Sequence, residues 1–245
     1  MSDSEVDQEQ PFLSHLVELR DRILKSLLGV LAVALVLLPF SNSIFRWFAD
    51  PLIDALPGGE MASISVIGPF FIPLKVTLFL SFCVALPWIL YQVWAFVAPG
   101  LYRHERRLVL PLVASSTALF YLGMLFAYFV VLRVFALFIV ATTPADVEYF
   151  PDIGNYFNFV LTLFFAFGVA FEVPIATILL VMAGVVDVDT LASKRPYVFV
   201  GAFVLGMLLT PPDIFSQTLL ALPMWLLFEV GLVMARMLQR RQRQD

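Results

Sequence analysis

The chain has 245 residues, of which 61% are hydrophobic and 14% charged. Soluble domains average roughly 45–50% apolar and about 25% charged residues, so an ordinary soluble domain is excluded and a membrane protein is indicated. The net charge of -4 misleads if read globally, because membrane proteins sort their charges by side; no nucleic-acid partner is expected, and the one cysteine, Cys83 in an apolar run, excludes an internal disulfide framework and a thiolate metal site.

The opening "MSDSEVDQEQ" is acidic and has neither the basic n-region nor the small-residue cleavage site of a secretory signal. Crossing about 30 Å of hydrocarbon takes roughly 20 apolar residues. The pattern predicts six crossings, at 22–40, 72–97, 108–140, 156–186, 197–209 and 218–238. Between the first two lies an outer loop, 43–69, in which Ile44, Trp47, Phe48, Pro51, Leu52 and Leu56 recur at near-helical spacing with Arg46, Asp50 and Asp54 between them. This reads as an amphipathic helix on the outer interface, ended by Pro57-Gly58-Gly59. The crossing at 108–140 would reach about 50 Å if helical throughout, and tilt or protrusion absorbs such excess. The one at 197–209 offers only about 20 Å, which predicts a thinner bilayer beside it. The turn-rich "TPPDIFSQ" separates it from the last crossing.

Pro87, Pro111, Pro174 and Pro223 fall inside or near the ends of crossings, and each deletes a backbone donor and favours a kink. The expected fold is therefore an all-α integral membrane protein, one polytopic domain over 1–245 with six kinked transmembrane helices in a cupped bundle. Cations orient it. With the N-terminus in the cytoplasm, inner segments hold Arg20, Arg22, Lys25, Arg103, Arg106, Arg107, Lys194, Arg195, Arg236, Arg240, Arg241 and Arg243, leaving only Arg46, Lys75 and Arg133 outside. By the positive-inside rule both termini are expected to be cytoplasmic.

Three acids stand out. Glu172, in "AFGVAFEVPIATILL", lies near the middle of the fourth crossing, where an ionisable group costs on the order of 2.5–3.5 kcal/mol on insertion scales. It reads as a partner-docking or proton-coupling site, or else as a protonated group bonded to a neighbouring helix. Glu18, in "SHLVELRDRIL", is four residues before Arg22, and the plain reading is a local ion pair of about 0.3–0.5 kcal/mol. Glu105 sits in "LYRHERR" among Arg103, Arg106 and Arg107, on the cytoplasmic rim. No enzyme is expected: "HERRL" begins like H-E-x-x-H but ends in Leu108, the only histidines are His15 and His104, and neither G-x-S-x-G nor a P-loop occurs. A secondary transporter would need inverted repeats around a midplane site, which the sequence does not display.

The segments "HLVELRDRIL", "YQVWAFVAPGLYRHERR", "FEVP" and "KRPYVFVGAFVLGMLLTPPDIFSQTLLALPMWLLFEVG" resemble, in order, those of the TatC family, the signal-receptor subunit of the twin-arginine protein translocase. The resemblance runs from about Pro11 to Arg236. It implies a receptor for signal peptides bearing two consecutive arginines in the bacterial cytoplasmic (inner) membrane. Such a receptor associates with the single-span subunits TatA and TatB, forms an oligomer with TatB, and exports folded proteins on the proton-motive force. No cofactor or metal is implied. Residue by residue, Glu18 and Glu105 are similar to the acids that receive the two arginines, and Arg20, Phe96, Arg106 and Arg107 to residues shaping that site. Glu172 resembles the family's intramembrane acid, associated with the partner subunits. Pro51 matches an outer-loop position, and Asp213 and Gln217 match the outer turn between the last two crossings. Arg133 departs from the pattern, since the family more often has proline there.

The chemistry suits that implication. A guanidinium presents a planar fork that makes two charge-assisted bonds to one carboxylate. Two acids would receive two arginines, whereas a Lys-Lys segment has the charge without the fork and is expected to bind less well. The surrounding cations would disfavour any positive segment that cannot engage both acids.

Overall fold

The structure is a computed structural model that describes residues 3–54, 62–97, 109–142, 151–209 and 214–242. In these residues the regular elements are helices, in the order α1 (Asp3–Leu37), α2 (Ser41–Asp54), α3 (Gly68–Val97), α4 (Val109–Phe126), α5 (Leu132–Thr142), α6 (Ile153–Ala170), α7 (Val173–Met182), α8 (Val188–Ser193), α9 (Arg195–Leu209) and α10 (Ile214–Gln242). A 3-10 turn, Leu38–Phe40, joins α1 to α2, and a π segment, Ala127–Val131, joins α4 to α5.

Five helical stretches are long and apolar enough to cross a membrane: His15–Asp50, Gly68–Val97, Leu110–Ile139, Ile153–Met182 and Gln217–Gln239. The predicted crossing at 197–209 corresponds to a shorter apolar helix, Arg195–Leu208. In hydrocarbon each backbone N–H must find its partner within the segment, which is why apolar runs of this length are helical.

Helix boundaries and apolar boundaries differ. α1 begins at Asp3, far before the apolar run at 22–40, because Glu, Gln, Leu and Arg are all good helix formers. The predicted crossing at 156–186 is two helices: α6 ends in a turn at Phe171–Glu172, and α7 ends at Met182. Pro174 stands in the first turn of α7, where its missing N–H costs nothing. Gly184, with φ +67°, closes α7, as Gly184 N–H donates to Val181 C=O (3.0 Å) and Val185 N–H to Leu180 C=O (3.1 Å). That is a glycine C-cap of the kind only a residue without Cβ adopts freely. α3 and α10 run through Pro87 and Pro223 without interruption. The short α8 was not among the predicted elements.

The chain divides into two compact units. One comprises Met1–Ser41 and Thr77–Thr117, the other Asn42–Val76 and Ala118–Asp245. In the first, Trp94 of α3 donates its indole N–H to Ser116 Oγ of α4 (3.1 Å), and Ser116 is fully buried. In the second, Phe45 and Phe48 of α2 pack on Phe157 of α6, Phe48 also reaches Phe164, and Phe126 of α4 contacts Phe167 and Phe171. There α8 and α10 share a core of Val188, Phe228, Leu232 and Ala235.

The amphipathic helix is present as α2, with Ala49 fully buried. Trp47, predicted on its apolar face, is 74% exposed instead. At 100° per residue it lies at the edge of that face, where an aromatic with a polar tip suits an interface.

Candidate functional site

α1 and α3 meet along two stripes. His15, Glu18, Arg22 and Gly29 fall at i, i+3, i+7 and i+14, one face of α1, and Trp88, Gln92 and Phe96 at i, i+4 and i+8, one face of α3. The helices run antiparallel, so rising numbers on α1 meet falling numbers on α3. A Cβ on Gly29 would lie 2.5 Å from Trp88 Cδ1, so any larger residue there would have to displace the Trp88 ring. Trp88 Nε1–H donates to the Lys25 carbonyl (3.0 Å). Arg22 reaches Gln92, and the His15 ring stacks on Phe96 with centroids 4.4 Å apart and planes at 19°.

Glu18 sits in this seam. Arg22 Nη2 donates to its Oε1 at 3.2 Å, the i,i+4 pair that spacing predicts, while Arg22 Nη1 donates to Gln92 Oε1 at 3.0 Å. The guanidinium fork is therefore split between two acceptors on two helices. Gln92 is 2% exposed and the Glu18 side chain 38% exposed. Among the described residues, Glu18 Oε2 accepts no hydrogen bond.

The other predicted site residues are placed as follows. Arg20 turns to its neighbour, donating from Nε (3.1 Å) and Nη2 (2.9 Å) to Asp21 Oδ1 in an exposed pair. Phe96 lies in the seam with Glu18. Glu105, Arg106, Arg107 and Asp213 lie outside the described residues. Glu172 is in the turn between α6 and α7: its N–H donates to Val169 C=O (3.0 Å), its C=O accepts from Ala176 N–H (2.9 Å), and both its carboxylate oxygens are buried. Pro51 falls in the last turn of α2. Gln217, in the first turns of α10, donates from Nε2 to Phe203 C=O of α9 (2.9 Å). The structure thus brings Glu18 and Phe96 to one seam and leaves Glu172, Gln217 and Pro51 on separate elements.

Sequence reasoning passed over His15 and Gln92, because spacing along one helix does not reveal that α1 and α3 are neighbours. It also passed over two polar clusters in the second unit. Arg195 Nε and Nη2 donate to Glu229 Oε1 (2.6 Å) and Oε2 (2.8 Å), a two-armed bridge between α9 and α10. Asp152 accepts from Ile64 N–H at Oδ1 and from Asn155 N–H at Oδ2, both at 3.0 Å. Those backbone donors hold its carboxyl below the usual carboxylate range, Ile64 contributing most. An aspartate directly before an apolar helix is the N-cap signal that would have found it. No cluster of three or more His, Cys, Asp or Glu suited to a metal ion occurs among the described residues.

These features define a multi-pass helical membrane protein with a part-exposed carboxylate, Glu18, at the N-terminal end of its first apolar stretch. The family model described as Sec-independent protein translocase protein (TatC) matches residues 14–223. The chain is 53% identical over 237 residues to the Sec-independent protein translocase protein TatC of Azotobacter chroococcum mcd 1, covering 96% of this chain and 93% of that protein. It is 52% identical over 232 residues to the protein of that name from Escherichia coli (strain K12), covering 94% and 90%. A crystal structure of the twin arginine translocase receptor TatC superposes with a TM-score of 0.82 at 39% identity, covering 91% of this chain and 98% of that one. The chain belongs to the TatC family of Sec-independent protein translocase proteins.

Proposed function

We propose that this chain is the receptor for twin-arginine signal peptides, and the core subunit of a translocase that exports folded proteins across the bacterial inner membrane on the proton-motive force. The reading takes the chain as one polytopic domain of six crossings in a cupped bundle, both termini cytoplasmic, working with TatA and TatB and oligomeric with TatB. Glu18 and Glu105 receive the two arginines, with Arg20, Phe96, Arg106 and Arg107 around them. Glu172 serves partner docking within the membrane, and Pro51, Asp213 and Gln217 act at the outer face.

The observation that carries this reading is the state of Glu18. Its carboxylate is more than a third exposed, held among the described residues through one oxygen, and shares its seam with the aromatic Phe96. A guanidinium arriving from the cytoplasm would find an acceptor already oriented by Arg22, and a charge-assisted bond there is about twice as strong as a neutral one. The apolar part of a signal would gain about 25 cal/mol for each Å² taken out of water.

The test is photocrosslinking of a twin-arginine signal peptide to the membrane-embedded chain. Crosslinking is expected for Arg-Arg, to weaken for Lys-Lys, and to weaken for Glu18→Ala and Glu105→Ala. Equal crosslinking by Arg-Arg and Lys-Lys peptides would remove the receptor reading.

A further inference from the structure

Arginine and carboxylate normally close on each other with both arms of the fork, as Arg195 and Glu229 do in this same chain. Arg22 does not close on Glu18 in that way. One arm takes Glu18 Oε1 and the other is drawn to Gln92 Oε1, seventy residues along the chain on α3. The glutamine is almost fully buried, so its amide oxygen is fixed by packing and cannot follow the arginine outward.

We propose that Gln92 is a positioning residue of the signal-peptide site: by holding one arm of Arg22, it prevents a closed Arg22–Glu18 pair and keeps Glu18 Oε2 open for the incoming arginine. This inference rests on the receptor reading of Glu18. Its physical basis is competition between two guanidinium groups for one carboxylate. An i,i+4 arginine is always within reach of the acid, at an effective concentration no peptide can match. If both arms of Arg22 lay on Glu18, a ligand arginine would first have to break two bonds. With one arm on Gln92, the ligand gains a bond at Oε2 and breaks none. The same arrangement leaves the Arg22 charge beside the site, so a ligand that offers charge without directed N–H groups meets repulsion that it offsets poorly.

Without the Gln92 oxygen, the freed arm of a largely buried arginine is left without its acceptor, and the nearest remedy is the second Glu18 oxygen. The experiment is fluorescence-anisotropy titration of a labelled twin-arginine signal peptide against the full chain in lipid nanodiscs. The variants are Gln92→Leu, Gln92→Met, Arg22→Ala, Arg22→Ala with Gln92→Leu, and Glu18→Gln. Gln92→Leu and Gln92→Met are each expected to weaken binding about tenfold, which is about 1.4 kcal/mol. The double variant is expected to bind several-fold more tightly than Gln92→Leu, because no arginine remains to close on Glu18. A purely structural glutamine would not give that recovery, and the recovery itself shows that the Gln92 variant folds.

Two outcomes overturn the inference alone: wild-type affinity in both Gln92 variants while Glu18→Gln binds weakly, or a double variant as weak as Gln92→Leu. Wild-type affinity in Glu18→Gln would instead overturn the receptor reading, and the inference with it.

Discussion

The two units each contain an arginine bonded to a glutamate, and the two pairs are built in opposite ways. Between α9 and α10, Arg195 and Glu229 share two bonds of 2.6 and 2.8 Å, and every carboxylate oxygen has a donor. Along α1, Arg22 spends one bond of 3.2 Å on Glu18 and the other on Gln92. The first pair joins elements distant in sequence and is saturated. The second is local, is worth little to stability, and leaves Oε2 without a donor among the described residues. A glutamate whose two oxygens both have donors is a structural tie, whereas one that uses a single oxygen can still accept a further donor, the property on which the proposed role of Glu18 rests.

Exchanging the insults to the two pairs tests that difference most strongly. Glu18→Ala is expected to weaken twin-arginine peptide binding by at least about tenfold, since a hydrogen bond to a charged group contributes about 1.5–3 kcal/mol. Its effect on stability should stay near the 0.3–0.5 kcal/mol of an exposed i,i+4 pair. Glu229→Ala is expected to do the reverse: the largest fall in melting temperature among these variants, with peptide affinity unchanged in the folded protein. Thermal unfolding followed by tryptophan fluorescence, together with peptide titration, measures both. Loss of binding in Glu229→Ala without a change in melting temperature would collapse the distinction.

A gentler change sharpens it. Arg195→Lys keeps the charge and loses the fork, so it should lower the melting temperature less than Glu229→Ala does. On the other side, Gly29→Ala alters the α1–α3 seam without touching a charge. Replacing a helical glycine by alanine ordinarily gains about 0.5–1 kcal/mol. Here the new methyl would meet Trp88 at 2.5 Å, and overpacking costs about 1–3 kcal/mol. The cost is expected to win, so that Gly29→Ala unfolds at lower temperature and binds peptide a few-fold more weakly. A variant more stable than the parent would mean that the seam has slack.

How much of this was legible in the sequence depends on distance along the chain. The Glu18–Arg22 pair follows from spacing on one helix and was read correctly. Gln92 was not, because a glutamine in "YQVWAFV" signals nothing until α1 and α3 are known to be antiparallel neighbours in that register. The same holds for Arg195 and Glu229, thirty-four residues apart on two helices. Apolar runs located the five helical stretches long and apolar enough to cross a membrane, and the shorter helix at Arg195–Leu208, but not the helix ends, since helix continues wherever propensity permits, as α1 does back to Asp3. Proline was an uneven guide: Pro174 marks a break because it opens α7, whereas Pro87 and Pro223 lie within helices whose remaining bonds carry them through. α8 escaped notice because six residues are too few to display a period.

The smallest expected effect belongs to a third carboxylate, whose two oxygens are both used but only by backbone. Asp152 caps α6 through Asn155 and holds Ile64, while Ala62 N–H donates to Pro151 C=O (3.2 Å) and Ile153 N–H to Ala62 C=O (2.9 Å). The segment at Ala62–Ile64 is thus latched to the start of α6 by the Asp152 carboxylate and two backbone bonds. Because folding lowers the Asp152 pKa below its usual 3.8, the latch contributes stability above that value and loses it as pH falls through the lowered one. Amide exchange at Ile64 and Asn155 should therefore be as slow at pH 5 as at pH 7 once corrected for intrinsic rates, and should quicken in the acid range below 3.8. Asp152→Asn keeps one acceptor oxygen and loses the charge, so it should show the faster exchange at every pH and no acid transition. Exchange that accelerates in acid equally in Asp152→Asn would assign the transition to some other group and reduce Asp152 to an ordinary helix cap.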